Sequence, residues 1–216
     1  MWFVSWSGGK DSCLALWKAR QEGLPVRFAL TTHEGGYTAA HGLPLGLVRK
    51  QVESLGLELV AVETSWERYE EQFKGALDEL ASKGVVGGVF GDIDLVDHRD
   101  WVERVCAAVK MKARLPLWGC VQEEILNEFV DLGFRGIVIS VDCKSLDLGW
   151  LGRPVDSSTV PRLIREAQRK GFSPCGEAGE YHTLVLAGPG FSQELTVKRA
   201  VPVYFQGHFR LEILEW

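Results

Sequence analysis

The sequence predicts an α/β protein: an open, mostly parallel sheet flanked by helices, joined to a smaller C-terminal α+β lobe. Three observations lead there. Short apolar runs alternate with segments of helical periodicity over residues 1–120. The predicted strands end in Ser, Gly, Thr or Asp, residue types suited to the ligand crevice of an open sheet. Over residues 121–216 the order changes and the last runs read as short antiparallel strands. The expected division is a nucleotide-binding domain at 1–120 and a substrate lobe at 121–216.

The first element sets the chemistry. Phe3 to Trp6 is a strand-forming run that stops at Ser7-Gly8-Gly9, and Cys13, Leu14, Leu16, Trp17 and Ala19 then recur at helical spacing. A strand, a glycine turn and a helix start make backbone N–H groups converge on an anion, aided by the helix dipole. Gly8 and Gly9 admit phosphate oxygens, Ser7 and Ser12 offer hydroxyls and Lys10 a positive charge. Asp11 is either a carboxylate at the helix start or a magnesium contact. An ordinary strand-to-helix turn explains the glycines but not the polar residues packed around them. Neither Walker A spacing nor a three-glycine dinucleotide fingerprint is present. Ser7-Gly8-Gly9-Lys10-Asp11-Ser12 resembles the pyrophosphate loop of the N-type ATP pyrophosphatases. That resemblance implies ATP cleaved between its α and β phosphates, with the loop holding the departing pyrophosphate.

The first helix is expected to end near Gly23, with Pro25 to Thr32 as the second strand. Adenine is expected at its end, around Leu30, Thr31 and Thr32, through main-chain hydrogen bonds. His33 and Glu34 either line the crevice or face solvent, before a Gly-Gly-Tyr loop. Leu43 to Leu55 reads as an amphipathic helix stopped by Gly56, with His41 a helix-entry residue that needs no chemistry. Leu57 to Val62 is a strand. Trp66 to Lys83 reads as one long helix burying Trp66, Tyr69, Phe73, Ala76, Leu77 and Leu80.

Val85 to Phe90 is the next strand, ending in Gly91-Asp92-Ile93-Asp94. Gly91 allows close backbone approach and Asp92 supplies a carboxylate for metal or substrate, unless the segment is a plain polar turn. Asp94, Asp97 and Asp100 are expected to cap a helix starting near Asp97. Arg99 in its first turn opposes the dipole, which a nearby phosphate or carboxylate would resolve. Ala113 to Cys120 is expected as an edge strand because Pro116 lacks an N–H.

A helix over Glu123 to Leu132, a buried strand over Gly136 to Val141, a loop carrying Arg153 and a helix over Ser158 to Lys170 follow. Cys175-Gly176-Glu177-Ala178-Gly179-Glu180-Tyr181-His182-Thr183 is the second dense constellation. Glu177, Glu180 and His182 suit acid–base work or a metal contact; a self-bonded hairpin turn is the alternative. Leu184 to Leu186, Leu195 to Lys198 and Phe209 to Leu214 read as strands.

Composition bounds the rest. Apolar residues are 46% and charged residues 25%, ordinary for a globular protein. No run approaches a membrane span and no signal-peptide pattern opens the chain, so a cytoplasmic protein is expected. With 24 basic and 29 acidic residues the net charge is −5, which argues against a long nucleic-acid partner. The five cysteines form no Cys-x-x-Cys pair and are expected as isolated thiols. The eight tryptophans read mainly as packing residues.

Taken together, Ser7 to Cys13, Gly91-Asp92-Ile93, Pro116 to Gly119, Trp150 to Arg153 and Gly176 to Thr183 resemble the diphthine–ammonia ligase family. The resemblance covers nearly the whole chain in the right order. It implies an adenine nucleotide alpha hydrolase-like, Rossmann-like fold and a ligase using ATP and magnesium. The acceptor carboxylate, on a modified histidine of a translation factor, is adenylated, and ammonia then displaces AMP. It also implies catalytic roles for Lys10, Asp11, Glu177, Glu180 and His182, and metal contacts at Asp11 and Asp92. The nucleotide would be held by Ser7, Gly8, Gly9, Lys10, Asp11, Ser12, Leu30, Thr31, Thr32, Gly91, Asp92 and Arg99. His41-Gly42-Leu43-Pro44 is closer to short bacterial-type members, and bacteria do not make diphthamide, so the acceptor stays open. A homodimer is compatible with all of this. Two rivals share the fold: a tRNA-modifying adenylase and a non-catalytic ATP- or AMP-binding regulator.

Overall fold

The structure, a computed structural model, describes residues 1–39 and 41–216. The elements in chain order are β1 (Trp2–Ser5), α1 (Lys10–Gln21), β2 (Val26–Glu34), β3 (Tyr37–Thr38), α2 (Leu45–Ser54) and β4 (Glu58–Glu63). Then come α3 (Tyr69–Ser82), β5 (Gly87–Val89), α4 (Val96–Ala108), β6 (Lys112–Arg114), α5 (Gln122–Asp131) and β7 (Arg135–Asp142). The chain closes with α6 (Val160–Lys170), β8 (Tyr181–Ala187), β9 (Arg199–Phe205) and β10 (His208–Glu215).

The first sheet runs β3-β2-β1-β5-β6, with β4 also paired to β2. All its pairings are parallel except β2 with β3. Chain order reverses around β1: β2 lies on one side and β5 on the other. The carboxyl end of β1 is therefore the switch point where an open sheet forms its ligand crevice, and the glycine loop starts there. The second sheet is antiparallel, in the order β8-β7-β10-β9. The mostly parallel α/β architecture with a separate antiparallel sheet is the one expected from the sequence.

Strand alternation assigns side chains to two cores. Val4 and Ala29 join one cluster, while their neighbours Phe3, Phe28 and Leu30 join the other beneath α3 and α4. The first cluster also takes in Leu126, Phe129, Val138, Tyr181 and Leu184, so α1 and α2 share a core with the C-terminal sheet.

Several element boundaries differ from the sequence expectation, each for a local reason. β2 continues to Glu34, because His33 and Glu34 pair with Thr38 and Tyr37 in a hairpin. The helix expected from Trp66 begins at Tyr69, preceded by a 3-10 turn at Trp66–Arg68, and Trp66 is 89% exposed rather than buried. The strand expected over Ala113 to Cys120 shrinks to Lys112–Arg114, and turns follow around Pro116. The residue preceding α4 is Leu95, with no side-chain cap; Asp94 instead accepts from Gln122 Nε2 at 2.6 Å. Leu195 to Lys198 is irregular, and Tyr181 to Thr183 lie on β8, not in a loop. No helix among the described residues is long and apolar enough to cross a membrane.

Candidate active site

The glycine loop leaves β1 and enters α1 directly, with Gly9 at the helix N-cap in extended conformation and Gly8 at φ +84. The N-cap glycine itself supplies no side-chain cap, and the positive end of a helix favours an anion. The loop is braced from within. Gly9 N donates to Ser7 Oγ at 3.3 Å, and Ser12 Oγ donates to the Gly9 carbonyl at 3.1 Å.

The second constellation folds onto this loop. Lys10 N donates to Thr183 Oγ1 at 3.0 Å, a partner 173 positions away. Lys10 Nζ donates to Asp11 Oδ2 at 2.8 Å and to the Cys175 carbonyl, and sits 4.9 Å from the Tyr181 ring centre. Burial is the largest single influence and disfavours the Lys10 ammonium, yet Asp11, Tyr181 and Cys175 together outweigh it and the pKa stands above the ordinary lysine value. Val185 N, on β8, donates to the Gly8 carbonyl at 3.0 Å.

A cavity of about 270 Å³ opens between the two motifs. Ser7, Lys10, Asp11, Ser12, Leu30, Thr32, Gly91, Asp92, Glu177 and His182 all line it. Gly91 serves as a contact point: a Cβ there would lie 2.9 Å from the Asp11 carbonyl carbon and 3.0 Å from Ser12 N. An adjoining, more apolar cavity of about 590 Å³ shares Thr32, Tyr69, Asp92 and His98 and extends to Trp66.

Three carboxylates face this site. Glu177 Oε2 accepts from Ile93 N at 3.0 Å. Burial pushes its carboxyl up to about 7; Asp11 and Asp92 add to the rise, while the Ile93 amide and Lys10 oppose it. Burial also raises Asp92, opposed by His98, whose Nδ1 stands 3.3 Å away. Asp11 Oδ1 is buried without a hydrogen-bond partner among the described residues. His182 packs against His41, ring centres 4.5 Å apart and planes tilted by 33°. Burial, Lys10 and His208 bring the His182 pKa down to about 4, so its ring is neutral at pH 7.

Other residues singled out in the sequence lie outside the cavity. Thr31 is buried and donates to the Trp6 carbonyl at 2.8 Å. Glu180 accepts from Ser173 N and Ala178 N at 3.1 and 3.0 Å, which fixes the shape of the glycine-rich turn. Arg99 pairs with Asp100 at 3.1 Å and stacks over Trp118. Arg153 donates to the Gly149 carbonyl at 2.6 Å. Two residues packed against the loop were not read from the sequence as part of the site. His41 comes within 2.5 Å of where a Gly9 Cβ would stand. Gln51, fully buried on α2, donates to the Gly8 and Val185 carbonyls at 3.0 and 2.6 Å and accepts from Trp6 Nε1. Cys13, Cys106 and Cys175 are buried and all five cysteines are free. Burial pushes the Cys13 and Cys175 thiols up, so neither is a ready thiolate.

A glycine loop at the switch point of a parallel sheet, opening on a carboxylate-lined cavity, is the arrangement of a nucleotide-loop α/β protein. Residues 2–113 match the diphthamide synthase N-terminal domain and residues 121–213 the diphthamide synthase C-terminal domain. The chain therefore belongs to the diphthamide synthase family, and it is an enzyme of the carbon–nitrogen ligase type. A diphthine–ammonia ligase of Danio rerio is 25% identical over 88% of this chain and 84% of its own length. One from Schizosaccharomyces pombe is 34% identical over 46% of this chain but only 16% of its own length. A crystal structure titled "predicted subunit of tRNA methyltransferase" from Methanocaldococcus jannaschii aligns with 90% of this chain and 98% of that one. Its identity of 16% and TM-score of 0.44 are too low to carry a functional argument.

Proposed function

We propose that the protein adenylates a carboxylate with ATP and passes the acyl group to ammonia. The supporting observation is that the glycine loop and the Cys175–Thr183 motif share one cavity, tied together through Lys10. An acceptor carboxylate oxygen would attack the α-phosphorus as the bond to the β-phosphate oxygen breaks, releasing pyrophosphate. Ammonia nitrogen would then attack the acyl carbon, the bond to the AMP oxygen would break, and a proton would pass to a base.

The chain's own groups divide the work. Loop amides at the start of α1 would hold the pyrophosphate, with Lys10 offsetting charge at the phosphates. Base and ribose would lie toward Leu30 and Thr32 and the adjoining apolar cavity. Glu177, with its carboxyl near neutrality, suits deprotonation of the incoming ammonium. Neutral His182 would assist, and Glu180 would hold the turn that carries Glu177.

Magnesium fits Asp11 and Asp92, because Asp11 Oδ1 is buried without a partner beside a second carboxylate. Among the described residues no group of three or more His, Cys, Asp or Glu could hold a metal unaided. The donor set thus suits an ion that keeps one or two carboxylates and takes phosphate oxygens for the rest. Its contribution when bound would be to neutralise phosphate charge.

The family points to diphthine, a modified histidine on translation elongation factor 2, as acceptor, with another carboxylate as the alternative in a bacterial setting. The test incubates the protein with ATP, magnesium, ammonium and diphthine-bearing elongation factor. AMP, pyrophosphate and an amidated acceptor are expected; ADP and phosphate would sink the mechanism.

A further inference from the structure

The turn that carries Glu177 is held by a side chain belonging to neither polar motif. Gln122 is the first residue of α5, near the start of the C-terminal family domain. Its Oε1 accepts from Ser173 Oγ at 2.6 Å and from Cys175 N at 2.8 Å. Its Nε2 donates to Asp94 Oδ2 at 2.6 Å. Two donors on one side and a carboxylate on the other leave the amide a single orientation. That orientation passes to Glu177. Because the Ser173 hydroxyl gives its proton to Gln122, its lone pairs remain for the Glu177 amide, which donates to it at 3.1 Å. The far end of Glu177 is fixed as well: Oε2 accepts from Ile93 N at 3.0 Å, next in the chain to Asp94. Gln122 thus bridges the two segments that hold Glu177, one on each lobe.

We infer that Gln122 is a positioning residue for Glu177, holding its carboxylate at the nucleotide cavity through Ser173 and Asp94. The inference rests on the ligase reading above, which gives Glu177 its task. Glu177 lines the cavity and Gln122 does not, so Gln122 acts through its neighbours rather than on a ligand. The Asp94 segment belongs to the nucleotide side, because Gly91 packs on the backbone of Asp11 and Ser12. The Ser173 segment belongs to the C-terminal lobe, and Ser173 N also donates to Glu180 Oε1. One serine therefore braces both carboxylate residues of the turn, with Gln122 setting its hydroxyl. A reacting group displaced by about 1 Å loses about 10²-fold in rate, so a base held across two lobes needs such a tie. Cys175 keeps a second holder, since Lys10 Nζ donates to its carbonyl. Loss of Gln122 should therefore spare the glycine loop and its nucleotide.

The experiment compares the full-length wild type with Gln122→Leu, Gln122→Glu and Gln122→Glu combined with Asp94→Asn. Leucine removes every bond of the amide. Glutamate keeps the acceptor for Ser173 and Cys175 but sets a carboxylate against Asp94, and asparagine at 94 restores that bond with donor and acceptor exchanged. AMP formation is measured with ATP, magnesium, ammonium and diphthine-bearing elongation factor. Affinity for the α,β-methylene analogue of ATP is measured by calorimetry, and exchange of the Glu177 amide hydrogen by NMR. Gln122→Leu should lower kcat about 10- to 100-fold while analogue affinity stays within about twofold. Its Glu177 amide should exchange about tenfold faster or more. Gln122→Glu should move kcat the same way, and the double variant should recover. Unchanged kcat or unchanged Glu177 exchange in Gln122→Leu overturns the assignment, and so does a double variant no better than Gln122→Glu. A loss of analogue affinity as large as the loss of kcat makes Gln122 a general support of the fold and overturns it too. A wild type that releases no AMP rejects the ligase reading itself; the exchange measurement, which needs no turnover, reports separately whether Gln122 holds Glu177.

Discussion

Gly9 shows how little room the packing leaves at a single residue of the loop. A Cβ there would stand 2.5 Å from the His41 ring and 3.2 Å from the Thr183 carbonyl. Gly9→Val should therefore abolish ATP binding and also part the loop from β8. Calorimetry with the ATP analogue and a thermal melt check the two effects; retained nucleotide affinity would reject the phosphate-loop assignment. Glu177 is the residue on which the proposed chemistry depends most. Glu177→Gln should lower turnover about 10²- to 10⁴-fold with little change in ATP affinity. Because its carboxyl is held near 7 by burial, a base role makes the wild-type rate rise as pH passes through neutrality. The variant should lose that acid limb; a residual limb at the same pH would assign the base elsewhere.

Among the elements, α2 acts on the site through Gln51. Its amide joins Trp6 just beyond β1, the loop at Gly8 and β8 at Val185, all in the interior. Gln51→Leu removes the acceptor of the Trp6 indole N–H and one donor to each of the Gly8 and Val185 carbonyls, of which Gly8 keeps the Val185 amide; a buried polar group left unpaired costs about 1–3 kcal/mol. The expected outcome is a loss of about 2–4 kcal/mol in denaturant unfolding together with weaker nucleotide binding. Stability equal to wild type would mean that water or a shifted neighbour satisfies those groups. The helix itself was legible from periodicity, but Gln51 was not: a polar residue on an amphipathic helix reads as surface until the loop is seen against it.

At the scale of the molecule, two buried groups impose opposite pH dependences. His182 titrates near 4 in the folded state against about 6.5 unfolded. The unfolded chain binds the extra proton between those values, so this group's contribution is lost as pH falls from about 6.5 to 4. Glu177 is raised, so the folded state keeps a proton that the unfolded chain releases, and its contribution declines as pH rises from about 4.5 toward 7. His182→Phe should flatten the acid side of the stability curve and Glu177→Gln the neutral side. Denaturant midpoints between pH 4 and 7 check the pair of slopes, and matching slopes in both variants and wild type would contradict the burial of these groups. The shared core bears on organisation. We propose residues 1–120 and 121–216 as nucleotide and substrate lobes in function. Since one hydrophobic cluster contains Val4, Leu14, Phe129 and Leu184 together, they should nevertheless unfold in one transition by calorimetry. Two resolved transitions would count against a shared core.

By itself the sequence determined the local pieces: the strand, glycine turn and helix at Ser7 to Ser12, the amphipathic faces of α2 and α3, and the density of polar groups from Cys175 to Thr183. These are set by periodicity and by residue chemistry at short range, so they can be read without coordinates. Only the tertiary structure decided which pieces meet. It brought Thr183 to Lys10 across 173 positions and turned His41 from a helix-entry residue into half of a tilted imidazole pair. It gave Glu180 two backbone amides to hold, and left Arg99 outside the cavity beside Asp100. The physical reason is that hydrogen bonding and burial depend on neighbours supplied by distant segments. A carboxylate in the sequence is the same residue whether it braces a turn or faces a ligand; its role is fixed when the sheet order brings the other strands alongside.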